Sequence, residues 1–141
     1  MNVYMDGVFD LFHRGHLEAI KKTRLVAGKT GKVIIGVVSD KDTEIYKRRP
    51  IISEEDRVEI IKNIKNVDQV IFPCPMNVTK KFLEKYNIDL VVHGFSNKHD
   101  FEKQKEYFIE IIDAGKFKYQ EYYQGTSTSD IINVIKSRDD L

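Results

Sequence analysis

One cysteine, Cys74, is the entire thiol complement of this 141-residue chain. That excludes an internal disulfide framework and suits a reducing compartment. Tryptophan is absent, which removes the best aromatic face for a cation. Three prolines among 141 residues leave no Pro-rich linker or low-complexity tract. Charge of one sign is lacking too: 23 basic residues stand against 22 acidic ones. No global field favours a nucleic-acid partner, so any anion site has to be local. No apolar run reaches the roughly 18 residues that a membrane span needs. The N-terminus lacks the layout of a signal peptide, so the expected location is cytoplasmic, with no membrane segment.

What remains is an ordinary globular composition, 41% hydrophobic and 32% charged, sized for a single domain over 1–141. Strand-like and helix-like runs alternate along it. "NVYM" (2–5) leads through a turn into a helix over about 14–27. "KVIIGVVS" (32–39) is a β-branched run of the kind buried on both faces of a sheet. A basic loop follows, then "SEEDRVEIIKNI" (53–64), where Ser53 and Asp56 have capping-box spacing before a helical repeat. "DQVIF" (68–72) and "DLVVH" (89–93) read as strands around the helix "TKKFLEKY" (79–86). A helix over about 102–114 ends at Gly115, a fifth strand covers "FKYQEYY" (117–123), and a last helix runs over about 129–136 behind Ser127 or Thr128. The pattern predicts an α/β fold: a doubly wound, mainly parallel five-stranded sheet with helices on both faces. Ligands of such sheets bind beyond the carboxyl ends of the strands, at the switch in strand order. The unusual polar residues cluster there: 6–16, 47–49, 93–97 and 124–129.

The first cluster holds "HRGH", which places His13 and His16 on one face of a first helical turn. Gly15 lacks a Cβ and is expected to let a phosphate approach the backbone. The helix N-terminus adds unpaired N–H groups and partial positive charge. Such a clamp suits oxyanions and in-line nucleotidyl transfer, where the protein orients reactants and stabilises developing charge. Taken alone, H-x-x-H is more often a polar helix start or part of a zinc site. His93, His99 and Cys74 lack the spacing to complete a zinc site.

"VYMDGVFDLFHRGH" resembles the H-x-G-H signature of the nucleotidyltransferase superfamily, in the form typical of cytidylyltransferases. "GTSTSDII" (125–132) resembles that family's second signature, R-T-x-G-x-S-T-[ST]. "YKRRPIISEEDR" and "VDQVIFPCPMNVT…NIDLVVHG" are similar to choline-phosphate and ethanolamine-phosphate cytidylyltransferases, so the resemblance covers nearly the whole chain. It implies a Rossmann-like domain that moves CMP from CTP to a phospho-amino-alcohol, phosphoethanolamine or phosphocholine, releasing pyrophosphate. It also implies Mg2+ carried with CTP rather than caged by side chains, and a homodimer. His13, His16 and Lys47 take the catalytic positions. Lys47 would bridge the nucleotide and the acceptor phosphate.

The nucleotide set is Gly7, Val8, Phe9, Gly15, Arg57, His93, Gly94, Gly125, Thr126, Ser127 and Thr128. Backbone N–H groups at Val8 and Phe9 are expected to meet phosphate oxygens, and the hydroxyls of 126–128 to meet the β and γ phosphates. Asp10 is open between a structural and a catalytic role. The acceptor set is Asp6, Lys47, Met76, Phe108 and Tyr122. Two departures stand out. Tyr122 replaces the arginine that opens the second signature and cannot reproduce its fork. Met76 stands where choline enzymes carry a tryptophan. Ethanolamine is thereby favoured slightly. Glycerol 3-phosphate is an alternative acceptor, and a catalytically weakened CTP-binding module an alternative role.

Overall fold

The computed structural model describes residues 1–141. Five strands, β1 (Val3–Gly7), β2 (Val33–Val37), β3 (Gln69–Ile71), β4 (Leu90–His93) and β5 (Phe117–Tyr119), form one sheet. Its order is β3-β2-β1-β4-β5 and all four pairings are parallel. Order therefore reverses between β1 and β4, which places a crevice beyond Gly7 and His93.

Helices cover both faces, as the strand pattern requires. On one face Val3, Met5, Val33, Ile35 and Val92 pack with Ile20 of α1 (Arg14–Ala27) and Ile61 of α3 (Glu54–Lys62). The alternate residues Tyr4, Ile34 and Val91 face the other way. They meet Leu83 of α4 (Lys80–Lys85) and Ile111 of α6 (Ile109–Asp113). Truncating such a fully buried Leu or Ile to Ala typically costs about 2–5 kcal/mol.

Three expectations change. The stretch read as a basic loop opens with a helix, α2 (Asp40–Tyr46), because Ser39 ends the strand and caps it. The Ser39 hydroxyl accepts from Asp42 N–H at 3.1 Å. The single helix expected over 102–114 is α5 (Lys98–Gln104), a 3-10 turn at Lys105–Tyr107 and then α6. The turn is drawn out of helical register where the Tyr107 carbonyl accepts from Val78 N–H. β5 also stops at Tyr119, short of the expected 123. The last helix, α7 (Thr128–Ser137), is capped by Ser127, which accepts from Asp130 N–H at 3.1 Å. Gly115 takes φ 71 after α6, as a C′ glycine does. No helix is long and apolar enough to cross a membrane.

Candidate active site

The crevice at the switch point opens into a cavity of about 600 Å³. The β1–α1 turn forms its floor, with Phe9 (φ 58) and Leu11 (φ 49) both in the left-handed region. Strain of this kind in non-glycine residues persists only where the surroundings impose it, and it gathers at functional sites. Here it keeps the chain tight around the end of β1. The N–H groups of Val8 and Phe9, at the cavity wall, donate to no protein acceptor.

His13 and His16 cap α1 reciprocally. His13 Nδ1 accepts from Gly15 N–H at 2.9 Å, and His16 Nδ1 accepts from His13 N–H at 3.2 Å. The rings stack, with centroids 3.9 Å apart. An imidazole that accepts at Nδ1 carries its proton at Nε2 when neutral. The two caps thus set both tautomers. His13 Nε2–H donates to Thr128 Oγ1 at 3.3 Å, and the Thr128 hydroxyl donates to the Asp10 carbonyl at 3.2 Å. His16 Nε2–H has no protein acceptor.

Burial, reinforced by the His13 and Lys47 charges, pushes the His16 pKa down to about 3. Burial also lowers that of His13, against the pull of Asp130. Both rings are neutral N–H donors at pH 7.

Asp10 has a structural task. Its carboxylate accepts from Ile51 N–H at 2.8 Å and Ile52 N–H at 2.9 Å, tying the basic loop to the histidine turn. Lys47 ends α2 at the cavity. It retains exposed surface, yet the protein around its ammonium pulls its pKa below the usual lysine value. Asp100 opposes that fall, and Arg48 adds to it.

Arg57, expected in the nucleotide set, is not brought to the cavity. It is completely buried, lies off the cavity and spends its guanidinium on the scaffold. It donates to the carbonyls of Val8 (2.6 Å), Val38 (3.0 Å) and Ile52 (3.1 Å), and to Asp40 at 2.7 Å. Gly15 lines the cavity, and protein packing also requires a glycine there. A Cβ there would lie 2.7 Å from the His13 ring and 2.8 Å from the Thr126 carbonyl, so protein fills the space. Gly125 and Thr126 lie off the cavity, while Ser127 and Thr128 line it. At Gly125 a Cβ would strike the Tyr123 ring at 2.3 Å. The hydroxyls of Ser127 and Thr128 are engaged by the α7 cap and by Asp10, which leaves the helix N–H groups of Thr128 and Ser129 facing outward.

The far half of the cavity is lined by Asp6, Met76, His93, Gly94, Phe108 and Tyr122. His93 Nδ1 and Asp6 Oδ1 are 3.0 Å apart. A Cβ on Gly94 would press on the Gln120 carbonyl at 2.9 Å, so glycine permits the approach of β4 to the chain after β5. Sequence reasoning missed Tyr46, Asp100, Lys103 and Tyr107, which also line this half. For Asp100, Lys103 and Tyr107 the signal lay in a helix boundary, since Asn97 caps α5 and accepts from Asp100 N–H; Tyr46 instead closes α2. No three His, Cys, Asp or Glu side chains gather into a metal cluster.

Known proteins place this geometry. A family model described as cytidylyltransferase-like matches residues 4–134. Choline-phosphate cytidylyltransferase 2 of Arabidopsis thaliana is 36% identical over 94% of this chain and 43% of its own length. Choline-phosphate cytidylyltransferase A of Mus musculus is 34% identical over 96% of the chain and 36% of its own length. Ethanolamine-phosphate cytidylyltransferase of Arabidopsis thaliana is 31% identical over 94% and 31%. The chain spans less than half the length of these relatives. A lipopolysaccharide core biosynthesis protein from Thermoplasma volcanium shares the fold, with TM-score 0.68 at 23% identity over 89% of this chain and 98% of that one. The paired imidazoles, the switch-point cavity and the match over 4–134 agree: the chain belongs to the cytidylyltransferase-like family.

Proposed function

We propose that the chain transfers CMP from CTP to a phospho-amino-alcohol, phosphoethanolamine or phosphocholine, giving a CDP-alcohol for phospholipid head groups. A phosphate oxygen of the acceptor attacks the α-phosphorus in line. The new P–O bond forms as the α–β bridge breaks, and pyrophosphate leaves with the bonding pair. Negative charge builds on the phosphoryl oxygens and the leaving group, and the protein's task is to meet it with preset donors.

The observation that carries the reading is the pair of imidazoles whose own Nδ1 atoms are used as helix caps, which commits each Nε2–H to donation. Val8 and Phe9 N–H groups and the start of α7 supply further donors around the same cavity. Lys47, at the wall between the nucleotide and acceptor halves, offsets the repulsion between two anions. Neutral N–H donors and a lysine suit phosphate oxygens rather than a bare cation, so Mg2+ would be held by the triphosphate and water, where it supplies charge neutralisation. We further infer a homodimer in a reducing, cytoplasmic setting.

Pyrophosphate release from CTP with a panel of phospho-alcohols tests the reading. Release with phosphoethanolamine or phosphocholine is expected. Release with glycerol 3-phosphate alone would move the acceptor class. Tight CTP binding without release for any acceptor would favour a binding module, the alternative that Tyr122 in place of the family arginine raises.

A further inference from the structure

We propose that Arg48 takes the β and γ phosphates of CTP and meets the charge that builds on the departing pyrophosphate, an inference that rests on the cytidylyl-transfer reading above. The chain has six arginines. Five are paired with carboxylates: Arg14 with Glu18, Arg24 with Asp68, Arg49 with Glu44, Arg57 with Asp40 and Arg138 with Asp140. Arg48 has no such partner, and it alone of the six lines the cavity. Its place on the wall follows from the course of the chain. Tyr46 belongs to the acceptor half, where its carbonyl accepts from Lys103 Nζ at 2.9 Å and its ring lies 6.2 Å from that of Tyr107. Further on, the N–H groups of Ile51 and Ile52 are tied to Asp10 in the histidine turn. Lys47 and Arg48 stand between these anchors in that order, which sets Arg48 on the nucleotide side of Lys47.

The cavity is short of positive charge. Both imidazoles are neutral donors, so Lys47 is the one full charge assigned to the phosphates. The α7 side adds none, since residues 120–130 contain neither Lys nor Arg. Lys103 is turned to the Tyr46 carbonyl in the acceptor half. Asp6, Asp10, Asp100 and Glu121 line the same cavity and offset what cations there are. A triphosphate beside a second phosphate thus meets little compensating charge unless Arg48 supplies it. A guanidinium stays charged at any working pH, and its planar fork fits two phosphate oxygens at once. As the α–β bridge breaks, the bonding pair passes to the β phosphate. A fork already resting on the β and γ oxygens then binds more strongly in the transition state than before it.

The test is calorimetric titration of CTP, CMP and pyrophosphate, each with Mg2+, into the full chain and into Arg48→Met and Arg48→Lys. Turnover with phosphoethanolamine and phosphocholine is measured alongside. In Arg48→Met the Kd of CTP and of pyrophosphate is expected to rise by about 10–100-fold, the range for hydrogen bonds to a charged group. The Kd of CMP is expected to stay at the wild-type value, which also reports that the pocket is folded. Arg48→Lys keeps the charge but not the fork, and its rise is expected to stay under about tenfold. At saturating CTP, kcat should fall further in Arg48→Met than in Arg48→Lys. Unchanged CTP and pyrophosphate affinity in Arg48→Met overturns the proposal while leaving cytidylyl transfer intact. A loss as large for CMP as for CTP, or one confined to the KM of the acceptor, overturns it as well. Selective loss of CTP and pyrophosphate affinity in a chain that turns over no acceptor upholds Arg48 and overturns cytidylyl transfer.

Discussion

His16 illustrates how a single residue joins stability to chemistry. Its Nδ1 holds the His13 backbone N–H, and its ring stacks on His13 and meets Phe9 and Phe12 at centroid distances of 5.4 Å. A folded-state pKa near 3, against an unfolded value near 6.5, means that the unfolded chain binds the extra proton between those limits. Stability linked to this ring is therefore fully present above about pH 6.5 and is lost as pH falls toward 3. Urea unfolding between pH 4.5 and 7.5 is expected to show a steeper loss toward acid for the wild type than for His16→Gln. Equal slopes would contradict the buried, neutral ring. In His16→Ala, turnover is expected to drop by about 10²–10³, the usual cost of one preset transition-state donor. The histidine pair itself was legible in "HRGH", because both roles are local to one helical turn. The tautomers were not, since they depend on which nitrogen each cap consumes.

At the level of elements, the basic loop is held from two sides. Asp10 takes the N–H groups of Ile51 and Ile52, and Arg57 of α3 takes the Ile52 carbonyl together with those of Val8 and Val38. One buried guanidinium thereby joins the β1–α1 turn, the end of β2 and the loop carrying Lys47. Replacing Arg57 by Lys removes the fork and strands several buried carbonyls, so unfolding free energy is expected to fall by about 3–5 kcal/mol. CTP affinity measured on the folded fraction should change far less than in His16→Ala; a selective loss of CTP binding with stability intact would return Arg57 to the nucleotide site. The sequence could not place Arg57, because "RPIISEEDR" looks the same whether its last arginine faces solvent, phosphate or three carbonyls. Only the packing of α3 on β2 decides it. The helix α2 was missed for a related reason: the apolar run through Val38 hid the cap at Ser39, and the net charge of "YKRRP" suggested a loop.

Across the whole molecule, the alternation of strands and helices was enough to derive the parallel, doubly wound sheet, since crossovers leave few other arrangements. The site followed from the same topology: polar clusters far apart in sequence follow the strands, that at 47–49 with α2 in between, and strand order gathers residues of each into one cavity. The acceptor half was less legible because α5 and its turn carry its residues on a segment whose boundaries the sequence blurs. The central claim is that His13 and His16 carry neutral Nε2–H groups, that of His16 free and that of His13 resting on Thr128 Oγ1, which turn to a triphosphate at the switch between β1 and β4. Long-range 1H–15N spectra of the histidine rings at pH 7, recorded with and without CTP, test it most directly. The account predicts Nε2–H tautomers for both rings in the free protein and displacement of both Nε2 resonances when CTP binds. Nδ1–H tautomers, or two rings unmoved by bound CTP, would contradict it.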